Sequence, residues 1–200
     1  MTLAIISHPE CALHEMGHQH PEQPNRIKVI QRAFETYPFS ASVTFYSAPI
    51  VSRDDLLRVH EAGYLDFINA ASPVNGLTMI DEDTLMNPYS LQAALLAAGA
   101  LTKAVDLVMQ GKAQAVFCNV RPPGHHAERN RAMGFCFFNN VAVGVAYALH
   151  HYQLERIAII DFDVHHGNGT QDIFQHDSRV MLCSSFEHPF YPGYNPAKDN

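Results

Sequence analysis

The sequence predicts an α/β fold in which a parallel sheet is covered by helices on both faces. From Tyr89 onward, strand-like and helix-like segments alternate, the pattern of parallel strands joined by crossover helices. The run Ile157 to Ile160 is continuous, apolar and rich in β-branched residues, as a fully buried strand would be. Tyr89 to Met109 is long and Ala-rich, which predicts a helix packed closely on a sheet. Two hundred residues suit one domain, here 1–200, able to bury about 70% of the surface its unfolded chain exposes.

Leu3 to Ile6 is the first predicted strand, and it runs into a loop carrying His8, His14, His18 and His20. Those spacings match no zinc signature, so surface or substrate-loop histidines are the expectation there. The segment His20-Pro21-Glu22-Gln23-Pro24-Asn25-Arg26 leads into an amphipathic helix ending near Tyr37, where Pro38 stops it. Val43 to Ser47 is the second strand. Apolar spacing from Leu56 to Ile68 predicts helical segments broken near Gly63. Ser72 to Asn87, with Pro73, Gly76 and the acidic group Asp81-Glu82-Asp83, reads as loop. Pro88 opens the long helix. Gln114 to Val120 is the third strand, Phe137 to Tyr152 a helix, Ile157 to Ile160 the fourth strand and Arg179 to Ser184 the fifth.

The composition is that of a globular chain, 47% hydrophobic and 16% charged. A net charge of −7 argues against nucleic acid and anionic membranes as partners and suits cationic substrates. The four cysteines, Cys11, Cys118, Cys136 and Cys183, form no CxxC pair; with Cys118 and Cys183 in strand-like runs, buried free thiols in a reducing compartment are expected. The N-terminus lacks a signal-peptide pattern, and no apolar run is read as reaching the ~20 residues of a membrane helix, so a cytoplasmic location is expected.

Thirteen histidines are many for this length, and the informative ones sit where two strands end. The third strand leads into Arg121-Pro122-Pro123-Gly124-His125-His126-Ala127-Glu128, and the fourth into Asp161-Phe162-Asp163-Val164-His165-His166-Gly167-Asn168-Gly169. Ligands of parallel sheets bind beyond the carboxyl ends of the strands, so both motifs should meet in one crevice. Alternation places Asp161, Asp163 and His165 on one side and Phe162, Val164 and His166 on the other. Asp163 and His165 then offer oxygen and nitrogen donors suited to Zn²⁺. A histidine beside a metal-bound water can take its proton and later protonate a leaving group. Such a histidine needs a partner on its other nitrogen, and Asp161 and Asn168 are the available ones.

Those two motifs, with Gly134-Phe-Cys-Phe-Phe-Asn-Asn140, His20-Pro-Glu-Gln-Pro-Asn-Arg26, Val59-His60 with Tyr64, and Phe190-Tyr-Pro-Gly193, resemble the histone deacetylase superfamily. That superfamily includes the acetylpolyamine amidohydrolases and the bacterial deacetylase-like amidohydrolases. The resemblance implies a three-layer arginase/deacetylase-like α/β fold and zinc-dependent hydrolysis of linear amides. Asp163 and His165 resemble two of the family's three zinc ligands. His126 resembles the proton shuttle, His125 its electrostatic partner, Asp161 the acid that orients His125, and Asn168 the residue that orients His126. Asn168 with Thr170-Gln171 resembles the class II branch. Gly134, Phe135 and Tyr191 resemble the acyl-lysine tunnel, and Asp83 an acid that binds substrate backbone. A structural K⁺ is implied at Asp161, with backbone oxygens of Asp163, His165, Ser185 and Phe186.

The family's third zinc ligand, an Asp, and its oxyanion-stabilising Tyr have no counterpart before Asn200, and Pro196 to Asn200 reads as the middle of a loop. The expectation is therefore the N-terminal portion of a deacetylase domain, about its first two thirds or less, inactive or unstable alone. The implied substrates are acetylated lysine in peptides or proteins, or acetylated polyamines. A non-catalytic acyl-lysine-binding or scaffolding protein on the same fold is the alternative.

Overall fold

A computed structural model of the chain describes residues 2–36 and 42–193. In chain order its elements are β1 (Thr2–Ser7), a 3₁₀ turn (Pro9–Ala12), α1 (Asn25–Thr36), β2 (Ser42–Ser47), α2 (Arg53–Leu56) and α3 (Ala62–Ala71). There follow β3 (Thr78–Asp81), β4 (Thr84–Met86), α4 (Ser90–Met109), β5 (Ala115–Cys118), α5 (Asn140–His151), β6 (Ile157–Asp161), α6 (Asn168–Phe174) and β7 (Val180–Ser184).

The fold class is the expected one, parallel strands flanked by helices. β1 lies between β2 and β5 and is parallel to both, with Ile5 opposite Phe45 on one side and Phe117 on the other. β6 and β7 form a second parallel ladder in which Ile159 faces Leu182. As the central strand, β1 buries Ala4, Ile5 and Ile6 completely. α4 presents Ala93, Ala97 and Ala100 to the core, and these short side chains let it approach β1, β5 and the 3₁₀ turn. A second core gathers α3, α4, α5 and α6 around Phe137, Ile68, Met86 and Val143.

Several expectations need correction. Ser72 to Asn87 is not all loop. It contains the antiparallel β3–β4 hairpin, because Thr78, Met79 and Asp81 pair with Met86, Leu85 and Thr84, with an irregularity between Met79 and Asp81. The helical break lies at Leu57–Glu61 rather than at Gly63, which sits inside α3. Glu61 N–H donates to the Arg129 carbonyl, a distant partner that draws the chain out of helix there. The glycine turn after β6 continues into α6, and β5 is shorter than the run Gln114 to Val120. Tyr37 and Pro38, read as the end of α1, and Pro196 to Asn200 lie outside the described residues.

The fourth predicted strand is not buried throughout: Ile159 is, whereas Ile160 is 73% exposed. The side of β6 away from β7 has no strand partner among the described residues, so that edge is open, and Ala158 and Ile160 on one face of the strand are exposed. The same arrangement corrects the cysteines. All four are free, and Cys11 and Cys136 are buried, but Cys118 is only half-buried and Cys183, on β7, is exposed. At 20 residues and a mean hydropathy of 1.5, α4 does have the length and composition of a membrane span. Half of it is buried inside the molecule, as in the core helix of an α/β fold.

Candidate active site

The site is built where β5 and β6 end. After β5 the chain enters a loop fixed from below by Arg121, which is 2% exposed. Its guanidinium donates to Glu22 through Nε at 2.7 Å and through Nη2, and to the carbonyls of Cys11 and His14 at 3.0 and 2.8 Å. A planar fork of donors is suited to holding one carboxylate and two carbonyls together. This ties the His20–Pro21 segment to the wall of the site, where the His20 ring meets Phe135 edge-on at 4.7 Å. His14, sealed in the same layer, bonds Ser90 Oγ at 2.7 Å. Burial above all, with Arg121 nearby, pushes it down to about 3, so it is neutral.

His60 closes the loop on its other side. Its Nδ1–H donates to the Glu128 carbonyl at 3.0 Å and its Nε2 accepts the Asn139 N–H at 3.0 Å. Asn139 in turn donates to the Ala127 carbonyl and to Thr170 Oγ1. Two close approaches need glycine. A Cβ on Gly134, which has φ +57°, would lie 2.3 Å from His126 Cδ2, and one on Gly169 would lie 2.2 Å from the Ala127 carbonyl oxygen.

Within this frame the tandem histidines stand with ring centroids 4.0 Å apart. His125 Nδ1 is 2.9 Å from Asp161 Oδ2, and His126 Nδ1 is 2.8 Å from Asn168 Oδ1. Burial, reinforced by His125, pushes His126 down to about 4, so its imidazole is neutral at pH 7. Burial would raise the Asp161 carboxyl, but the His125 hydrogen bond and charge outweigh it and hold it below the usual range.

β6 ends at Asp161, yet the side chains beyond it still separate two ways. Phe162 and Val164 turn to solvent, while Asp163 and His165 turn to the pocket. Asp163 Oδ2 lies 3.0 Å from His165 Nδ1 and 3.9 Å from His125 Nε2. Asp161 is on their side but is directed at His125 and the Asp163 N–H. His166 faces the other way, buried, with Nε2 2.8 Å from Gln171 Oε1.

Asp163 and His165 are an oxygen–nitrogen donor pair of the kind Zn²⁺ accepts, whereas a catalytic zinc takes three protein ligands. Among the described residues no group of three His, Cys, Asp or Glu forms a metal site. The fit to zinc is thus two donors of three. Ser185 N–H donates to the Asp161 carbonyl at 3.0 Å, and the Phe186 ring lies 4.6 Å from that of His166, so the residues named for K⁺ do border the 161–166 turn.

These groups face one pocket of about 530 Å³. Phe135, Gly134, Tyr191 and Asp83, all named from the sequence, line it. Asp83 reaches it from the β3–β4 turn and accepts the Gly134 N–H at 3.0 Å. Tyr191 stands edge-on to His126 at 5.0 Å, and burial together with Asp83 raises its hydroxyl far above the ordinary value, so it is a neutral phenol. The sequence reading missed Phe190 as a wall: its ring stacks on His165 at 5.3 Å and 10°. It also missed Pro21, Arg26 and Pro123 in the lining, although His20-Pro-Glu-Gln-Pro-Asn-Arg26 was the signal available for two of them. A larger cavity, about 680 Å³, lies between α5 and α6. Its arginines are engaged by Asp55, the Ile173 carbonyl and Asp177, and it has no comparable donor constellation.

Residues 20–200 match the family model described as the histone deacetylase domain. The chain is 40% identical over 200 residues to an uncharacterized protein of Synechocystis, covering 98% of this chain and 65% of that one. It is 39% identical to a histone deacetylase-like amidohydrolase of Pseudomonas aeruginosa, covering 90% and 47%, and 37% identical to a protein of Archaeoglobus fulgidus named probable deacetylase, covering 96% and 54%. Among solved structures it is similar to the HDA15 HD domain, with TM-score 0.90 and 35% identity over 97% of this chain and 58% of that one. The chain spans roughly half to two thirds of the length of these relatives.

Proposed function

The chain belongs to the histone deacetylase domain family, and from that premise we propose that it carries the site of a zinc-dependent hydrolase that removes acetyl or other acyl groups from the amine of lysine or a polyamine. One observation supports this above the rest. Two histidines, each with Nδ1 held by a separate partner, share a pocket with a facing Asp–His donor pair.

In this reading the acyl end of a linear amide enters between Phe135, Phe190 and Tyr191, whose rings enclose an apolar stem. Asp83 at the rim accepts an N–H of the substrate. Asp163 and His165 would hold the zinc, which when bound supplies Lewis acidity to the acyl carbonyl and to the attacking water. His126, its Nδ1 occupied by Asn168, takes a proton from water at Nε2 and returns it to the departing amine. His125 with Asp161 stabilises positive charge beside it. Asp161, Ser185 and Phe186 are proposed to border a structural K⁺. The net charge of −7 suits a substrate that leaves as a cationic amine.

The test is release of acetate from an acetyl-lysine peptide and from an N-acetylpolyamine by the purified protein with and without added Zn²⁺. Release is expected to depend on Zn²⁺ and, with two of three zinc donors among the described residues, to be weak, with His126→Gln reducing it a further ~100- to 10,000-fold. Binding of the acetylated ligand with no hydrolysis under any metal condition would favour the non-catalytic reading instead.

A further inference from the structure

The Asn168 side chain that faces His126 is itself held from behind. Its Nδ2 donates to Glu128 Oε1 at 2.8 Å and to Met133 Sδ at 3.3 Å, while its Oδ1 lies 2.8 Å from His126 Nδ1. An amide can be turned end for end with little change in shape, so something must decide which end faces the histidine. A carboxylate only accepts, and turning the amide over would set its oxygen against the oxygen of Glu128. We infer that Glu128 is a positioning residue: by anchoring the amide nitrogen of Asn168 it forces the amide oxygen onto His126, and so fixes the tautomer of that histidine.

The consequence is chemical. An oxygen at Nδ1 requires the His126 proton to be there, which leaves the Nε2 lone pair directed to the pocket. With the amide reversed, an NH₂ group would face Nδ1, the proton would sit on Nε2, and His126 could not accept one from water. His125 needs no such relay, because Asp161 accepts from it in either orientation. Glu128 also fits the role by its placement. Its main-chain carbonyl is clamped by His60 and its N–H donates to the Arg131 carbonyl, so the side chain starts from a fixed point. Nothing local reveals the pairing, since Glu128 and Asn168 are 40 residues apart in sequence.

This inference rests on the proposed role of His126 for its effect on rate, but its structural half can be read without activity. In protein carrying ¹⁵N-labelled histidine, the ring nitrogens of His126, assigned by comparison with His126→Gln, report the tautomer directly. The parent is expected to show protonated Nδ1. Glu128→Ala is expected to move part or all of the population to protonated Nε2 and to lower kcat about 10- to 100-fold with KM little changed. Glu128→Gln keeps the size and one acceptor but can also turn its own NH₂ toward Asn168, so a tautomer population and a kcat between those of the parent and Glu128→Ala are expected, which separates the accept-only property of the carboxylate from loss of bulk or of fold. An Nδ1-protonated His126 in Glu128→Ala, in a variant whose circular dichroism matches the parent, would overturn the inference. If the parent shows the expected tautomer and Glu128→Ala loses it while no acetylated substrate is hydrolysed, the functional reading fails and the positioning role stands.

Discussion

Lowering the pH from 7 to 5 should destabilise this protein through histidines that the fold buries in neutral form. His14 and His60 are at most 3% exposed, and burial is the leading cause that pushes them down to about 3 and about 4 from 6.5. In the unfolded chain both take up a proton as pH falls through 6.5, whereas in the native state neither does until near 4. Below 6.5 the unfolded state therefore binds two more protons, and native stability falls with pH. Each histidine contributes about 1.4 kcal/mol per pH unit, so the pair removes roughly 4 kcal/mol by pH 5. His126 and His166, also shifted down, act in the same direction. Against a typical total of about 5–15 kcal/mol, that is enough to move an unfolding midpoint visibly. The assay is urea unfolding at several pH values between 5 and 7.5, repeated on His14→Gln, which cannot bind the extra proton and should show a slope lower by about 1.4 kcal/mol per unit. A stability that is flat across this window, or a slope unaltered in His14→Gln, would refute the argument.

Other outcomes can be checked with single substitutions. Arg121→Met removes both guanidinium hydrogen bonds from the fully buried Glu22 carboxylate, leaving the more distant Arg26, at 3.8 Å, as its cationic partner, and should cost about 3–5 kcal/mol, or roughly 6–20 °C in Tm by calorimetry; adding Glu22→Gln should recover much of that loss. Gly134→Ala must place a side chain at φ +57° against the His126 ring, so a loss of about 2–5 kcal/mol is expected, with the His126 resonances displaced. In native protein a maleimide should label the exposed Cys183 rapidly, whereas the buried Cys11 and Cys136 should react only after unfolding, as mass spectrometry of the labelled peptides would show.

The elements most readable from sequence were those set by neighbouring residues. Short apolar runs marked β1, β5, β6 and β7, that of β6 being rich in β-branched residues, and the Ala-rich composition marked α4. The hairpin at Thr78–Met86 escaped because its strands are short and its acidic turn looks like any solvated loop. The exposure of Ile160 and Cys183 escaped for another reason: an apolar strand reads the same whether or not a neighbour covers both of its faces.

The site divides along the same line. Local order in the chain was enough to set His125-His126 and Asp163-Val164-His165 beyond strand ends, because side-chain alternation and strand direction are properties of a few consecutive residues. Tertiary structure alone decided what surrounds them. It brought Arg121 to Glu22 across 99 positions, Asp83 to Gly134 across 51 and Asn168 to Glu128 across 40. Such pairings are selected by packing and by the need to satisfy buried polar groups, and no short window of sequence contains both partners.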